Sequence, residues 1–340
     1  MKHRLATTLA ALFAATLAAG AQAAPTYAVT DHLKGGGDGG WDLVSFDPAH
    51  GKVFIARAGG VNVVDVAART ISTLTIPGAG RMHTPVPLDH GALLLVTDGT
   101  ANVAHLIDAA TGASVADAAV GQKPDAAVFD PASGMALVMN GKSGDVTFVD
   151  PRSRKSVASV MVGGGLEIGA VDGKGRAFVN IEDQNQIAVI DTKAHTLVGR
   201  YALPGCTGPT GIAYAANAGV LISSCANKVA KVLNAADGAD LGTLTIGAGP
   251  DTVLYDPVRK LAFIPCGRDG VLEVIAVRGA HDVAIVQTVT TQVGARTGAV
   301  DPASGAVYLP TAQFQPAATA GGRPTPVPGT FEVLVVTPAG

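Results

Sequence analysis

Lys123-Pro-Asp-Ala-Ala-Val-Phe-Asp-Pro-Ala-Ser-Gly134, followed by Met135-Ala-Leu-Val-Met-Asn140-Gly141 and Asp145-Val-Thr-Phe-Val-Asp150, decides the fold. It reads as an apolar strand, an Asp-Pro turn ending in Gly, a second strand closed by Asn-Gly, and a third strand ending in Asp. The unit recurs. With the first residue of each turn as anchor, Asp47, Leu88, Asp130, Asp172, Ala215, Asp256 and Asp301 follow one another at intervals of 41, 42, 42, 43, 41 and 45 residues. A period near 42 with three or four short strands per unit is the signature of a β-propeller, whose units bury their faces only by stacking radially on their neighbours. Seven anchors predict an all-β chain with seven blades.

Outward from that stretch, blade 2 departs furthest from the pattern, with His83-Thr-Pro-Val-Pro-Leu-Asp89 where other repeats carry an Asp-led inner strand. The seventh unit supplies strands at Ala299-Val300, Ala306 to Leu309 and Phe331 to Val336, then stops one strand short. A blade left incomplete exposes unpaired edges. Tyr27-Ala-Val-Thr30, a lone strand before the first repeat, is therefore expected to close the last blade as its fourth strand. A Pro/Gly-rich insertion, about 312 to 330, separates the second and third strands of blade 7 and is expected to overhang the channel mouth, its ends anchored by Phe314 and Phe331.

Lys2-His3-Arg4, an apolar run from Leu5 to about Ala19, and Ala21-Gln22-Ala23 read as a signal peptide over residues 1–23. The run is too short and too rich in Ala to span a bilayer, and no other segment is apolar for long enough. Residues 24–340 then form a single propeller domain in the periplasm, expected to be a monomer. Removing Lys2 and Arg4 shifts the balance from 24 basic and 27 acidic groups to 22 and 27. A mildly acidic chain with no Lys/Arg stripe is a poor partner for nucleic acid or anionic lipid.

Cys206, Cys225 and Cys266 enter an oxidising compartment, so at most one internal bridge forms. Cys206 lies just before the inner strand of blade 5 and Cys225 ends its second strand, so an antiparallel hairpin turning near Asn217 predicts a Cys206–Cys225 disulfide. Cys225 to Cys266, across adjacent blades, is the fallback. Gly35 to Gly40 and Gly141-Lys142-Ser143 lack the spacing and the helix of a phosphate cradle and read as loops.

The Pro-Asp-x-x-x-x-Asp-Pro-x-x-Gly, Phe-Val-Asn and Val-Ile-Asp elements resemble the YVTN-type repeats of the YncE-like family of exported seven-bladed propellers. Gly208-Pro-Thr-Gly-Ile-Ala213, Cys225-Ala-Asn-Lys228, Gly294-Ala-Arg-Thr297 and Val327-Pro-Gly-Thr330 resemble one branch of it. The resemblance spans residues 27 to 336 and implies fold and export, with no settled chemistry. Blade 2 and Pro265-Cys266 depart from the family pattern.

Five residues before each anchor stand Asp42, His83, Asp125, Glu167, Thr210, Asp251 and Arg296. In a propeller these inner-strand starts open on one face around the central channel. Four carboxylates at such spacing raise one another's pKa unless a proton, Arg296 or a metal balances them. Ca2+ in the channel would suit the carboxylates, with the Asn140 and Asn180 carbonyls as further ligands. The expected role is a binding or scaffold protein for a small molecule or periplasmic protein, acting through this charged face. The alternatives are a metal-assisted, lactonase-like hydrolase in which Glu167 or His83 activates water, and, by fold analogy alone, an accessory subunit of a periplasmic dehydrogenase.

Overall fold

A computed structural model describes residues 25–316 and 324–339. Seven four-stranded antiparallel sheets follow one another along the chain and close into a ring, a seven-bladed β-propeller. Blade 3 shows the unit: Pro124–Asp130 innermost, then Met135–Asn140, Asp145–Asp150, and Lys155–Met161 at the rim. Among the described residues no helix is long and apolar enough to cross a membrane. The signal-peptide segment lies outside the described residues.

The repeated Asp has a local cause. Asp130 turns its carboxylate back onto the amides of Ala132 and Ser133, at 3.2 and 3.0 Å. Its carbonyl accepts from the amide of Gly134, which takes the left-handed conformation at φ 73°. This is an Asx-type turn, and Asp256 and Asp301 repeat it. Leu88 cannot bond its own turn in this way. Blade 2 substitutes a short 3-10 turn at Asp89–Gly91, all three residues at positive φ, and still builds four strands. Its inner strand tolerates Pro85 and Pro87 because an edge strand leaves one row of amides unpaired.

The core lies between blades. Second and third strands are buried on both faces, as in Met135–Asn140 and Asp145–Asp150, whereas the rim strand is largely exposed. Leu137, Met139, Val146 and Phe148 of blade 3 pack with Val179, Ile181, Ala188 and Ile190 of blade 4. Each such contact joins residues of successive repeats.

Blade 7 orders its strands as Ala299–Val300, Val307–Thr311, Glu332–Pro338 and Tyr27–Lys34. The N-terminal strand thus fastens the ring, as the missing fourth strand required. Tyr27 is 2% exposed, meets the Phe263 ring edge-on at 5.0 Å, and exchanges backbone bonds with the Gln287 side chain of blade 6. A Cys206–Cys225 disulfide joins the two predicted positions, with Cα atoms 5.6 Å apart, and Cys266 is free and buried. The described ends of the insertion form a small ladder, Phe314–Gln315 with Thr325–Pro326. Phe314 and Phe331 both pack on Trp41, at 6.0 and 5.4 Å. Residues 317–323 of the insertion lie outside the described residues.

Candidate functional site: the channel mouth

In blades 1 to 5 the candidate residue occupies the second position of its inner strand, and there the ladder breaks in the same way each time. In blade 1, Trp41 pairs with Arg57 and Val44 with Ile55, so Asp42 and Leu43 together oppose Ala56 alone. The same two-against-one bulge holds His83, Asp125, Glu167 and Thr210. A bulge re-aims the side chain it carries, and bulges gather beside functional sites. The Asp turns lie at the other end of the inner strand, roughly 16 Å away at 3.3 Å per residue.

Five candidates join in one unbroken chain of contacts. Arg296 donates from Nε to Asp251 Oδ2 at 2.6 Å, and its NH2 lies 3.6 Å from Asp42 Oδ1. His83 Nδ1 lies 2.6 Å from Asp42 Oδ2 and 3.2 Å from Asp125 Oδ1. Blades 6, 7, 1, 2 and 3 are thereby laced in order. The peptides beneath are fixed by hydroxyls. Thr297 donates to the Asp42 carbonyl at 2.9 Å, and Thr84 and Thr97 donate to the Asp125 carbonyl at 2.8 and 2.7 Å.

The electrostatics follow from burial and neighbours. Burial opposes a charge on His83, which is 3% exposed, but hydrogen bonds to Asp125 and Asp42, together with their charges, hold its pKa up at about 9. Burial likewise opposes ionisation of Asp125, and His83 outweighs it, leaving that carboxyl below its usual range. Burial pushes Asp251 up to about 6 against the pull of Arg296. Burial, then the charges of Asp125, Glu182 and Asp251, push Glu167 up to about 8. Glu167 therefore carries its proton at neutral pH. Read around the ring, carboxylate alternates with cation from Asp251 to Asp125, and the arc ends in a neutral acid.

Thr210 stands in the uncharged sector, its hydroxyl donating to the Pro250 carbonyl at 3.3 Å. Asn140 and Asn180 are not equivalent. Asn180 opposes the bulge of blade 4 and reaches across to the Thr210 and Gly211 carbonyls of blade 5, both at 3.0 Å, while its own Oδ1 accepts from Ser223. Asn140 pairs one position further along and bonds Asp145 and Thr147 inside blade 3. The Asn180 amide is committed at both ends to holding blades together, whereas Asn140 donates within blade 3 and its Oδ1 is buried with no partner among the described residues.

Sequence reasoning missed Glu182 and Lys123. Glu182 follows the second strand of blade 4 and adds to the field on Glu167. Lys123 Nζ lies 3.9 Å from Asp125 Oδ2. The rule that second-strand ends open on the ring face would have found Glu182. Also missed were the buried third-strand residues Asn62, His105, Lys231 and Glu273. Each bonds the residue directly opposite it on the rim strand, Thr73, Asp117, Thr243 and Thr288.

No protein-family model matches the chain, and no curated protein sequence matches it. Solved structures do. U3-55K aligns with a TM-score of 0.74 at 9% identity over 89% of this chain and 97% of that one. A chain of the mitotic checkpoint complex aligns at 0.73 and 14% over 99% and 98%. A chain of Kuenenia stuttgartiensis hydrazine synthase aligns at 0.71 and 14% over 82% and 94%. Identities this low establish the shared propeller fold alone.

Proposed function

We propose that this chain is an exported binding propeller of the YncE-like type. It holds a small polyhydroxylated ligand at the channel mouth ringed by Asp42, His83, Asp125, Glu167, Thr210, Asp251 and Arg296, with Asn140 and Asn180 bracing the strands behind. The observation that carries the reading is the laced chain Asp251–Arg296–Asp42–His83–Asp125. Its three carboxylates alternate with two cations, so the mouth presents fixed donors and acceptors with one net negative charge. A polyol, which both donates and accepts, suits such a surface, and an acid group on it would meet Arg296. The insertion is rooted beside this mouth, since Trp41, on which Phe314 and Phe331 pack, immediately precedes Asp42. Export, a periplasmic location and a monomeric state belong to the same proposal. The disulfide is compatible with an oxidising compartment.

The test is calorimetry of the mature protein against inositol, glucose, gluconate and galacturonate. Saturable binding that weakens at least about tenfold in Arg296→Ala is expected, the loss of one charge-assisted bond. No binding by any of the four, or binding unchanged in the variant, puts the functional surface elsewhere.

One observation favours a second reading, a metal-assisted hydrolase: the convergence of Asp42, His83 and Asp125. It depends on the metal. With His83 protonated between two carboxylates and Glu167 protonated near neutral pH, neither side chain is a free base.

A further inference from the structure

We propose that Asp42, His83 and Asp125 form a binding site for a first-row transition-metal dication, with Zn2+ and Mn2+ the fitting ions, on the blade 1 to blade 3 arc of the mouth. The proposal deepens the reading of this face as a binding surface and rests on it.

The donor set comes first. One ligand atom from each of the three residues lies within 4.8 Å of the others. Donors about 2.1 Å from one ion stand no more than about 4.2 Å apart, and His83 Nδ1, 2.6 Å from Asp42 Oδ2 and 3.2 Å from Asp125 Oδ1, meets that limit with both carboxylates. The three come from consecutive blades, so no local turn chemistry accounts for the convergence. The imidazole is the discriminating member. Ca2+ takes oxygen ligands in sets of six to eight, whereas one nitrogen with two carboxylate oxygens suits Zn2+, Mn2+ or Fe2+. This separates the site from a calcium ion on the channel axis, and the Asn180 Oδ1 that such an ion would recruit already accepts from Ser223.

The site is also built. His83 is 3% exposed, and even a Cβ added at Gly99 would stand 2.6 Å from its Nε2, so the ring is wedged with Nδ1 turned to the two carboxylates. Thr297 holds the peptide of Asp42, and Thr84 and Thr97 hold that of Asp125. Arg296 borders the second oxygen of Asp42 at 3.6 Å. Partners of this kind orient metal ligands and set their basicity. The Asp42 and Asp125 side chains are 17% and 20% exposed, so both carboxylates are partly open to solvent. Loading balances simply: the dication replaces the proton that Nδ1 shares with the carboxylates, and that proton leaves to solvent. Three protein ligands leave at least one position for water or a polyol oxygen.

The experiment uses the full mature chain stripped with a chelator, titrated with Zn2+, Mn2+ and Ca2+ by calorimetry and with Co2+ by visible absorption. One Zn2+ or Co2+ per chain is expected, with micromolar or tighter affinity, no cobalt–thiolate band, and far weaker Ca2+ binding. Asp125→Asn should weaken Zn2+ at least about tenfold, and Lys142→Gln, outside the site, should leave it unchanged. Because His83 is buried, His83→Gln risks the fold, and the near-isosteric Asp125→Asn is the deciding variant. Absence of saturable Zn2+, Mn2+ and Co2+ uptake overturns the proposal. So does affinity undiminished in Asp125→Asn, or a thiolate band that moves the ion to Cys266. Polyol binding without metal uptake leaves the binding mouth standing and removes the metal; metal uptake without polyol binding does the reverse.

Discussion

His83 sits between two carboxylates of neighbouring blades, and its protonation is where the ring's chemistry is most exposed to measurement. Its pKa in the folded chain, about 9, lies above the ordinary 6.5, so the charged form is favoured by folding. The stability it contributes, on the order of 3 kcal/mol, is fully present below pH 6.5 and is lost as the pH rises through 9. Glu167 acts in the same direction. Its pKa is raised from 4.5 to about 8, so the folded state prefers the neutral acid and loses stability as the pH climbs from 4.5 to 8. The melting temperature of the metal-free protein should therefore fall between pH 6.5 and 9, and fall less steeply in Glu167→Gln. An imidazole NMR titration of His83 with its midpoint below 7 would sink this account. The anchor-minus-five rule picked out both residues from sequence. It could not show that His83 bonds Asp42 and Asp125 together, because that depends on bulges at Asp42, His83 and Asp125, and a bulge leaves no residue-type signature here. Asn62, His105, Lys231 and Glu273 were illegible for a related reason: one buried register position is filled by four different side chains, each bonded to the residue opposite it on the rim strand.

At the scale of the element, the blade 5 hairpin carries the clearest outcome. Cys206 precedes Pro209, which pairs with Cys225, so the disulfide ties the entry of the inner strand to the end of the second. The bridge spans 19 residues, and replacing both cysteines by Ser should cost about 2–4 kcal/mol in urea unfolding. A cost below the error of the measurement would mean that the hairpin ladder alone fixes the strand entry. Arg57 ties a second element. Its guanidinium, buried at 5% exposure, bonds Asn62 and the carbonyls of Gly37, Asp38 and Gly39, and lies 4.1 Å from the centre of the Phe331 ring. Arg57→Ala leaves the buried Asn62 Oδ1 unpaired, while the exposed Gly37, Asp38 and Gly39 carbonyls turn to water, and should cost about 1–3 kcal/mol, read in the same way. In sequence, Gly35 to Gly40 read only as a connection. The Arg that organises it stands at the end of a second strand, where other repeats hold Asp98, Asn140 and Cys225, so no motif marked it. Blade number, strand order and the closing strand were legible because the 42-residue period and the absent fourth strand are properties of the whole repeat set.

For the whole molecule, closure makes the N-terminal strand a structural member of the last blade, and that role can be separated from its place in the chain. Deleting residues 24–33 would strip the outer partner from residues 333–338, which keep Val307–Thr311 on their other side, and would uncover the Phe263 ring that Tyr27 meets, opening one new sheet edge. Loss of stability there does not by itself distinguish a missing strand from a misfolded terminus. A circular permutant does. The amide of Ala339 donates to the Thr26 carbonyl at 2.6 Å, so the two ends of the paired strands lie side by side and a few glycines can join them into a hairpin. New termini between Gly36 and Gly37, in an exposed loop, leave Gly37, Asp38 and Gly39 attached to blade 1, where Arg57 holds them. Blade 7 then becomes contiguous in sequence. Closing so short a loop costs little, and cuts at exposed loops are tolerated. The permutant should melt within about 4 °C of the parent, the shift that roughly 1 kcal/mol produces in a domain of this size or smaller. The deletion variant should melt far lower or aggregate. If the permutant is as unstable as the deletion, the order in which the chain reaches the seam governs stability, and pairing of Tyr27–Lys34 with Glu332–Pro338 is not by itself what fastens the ring.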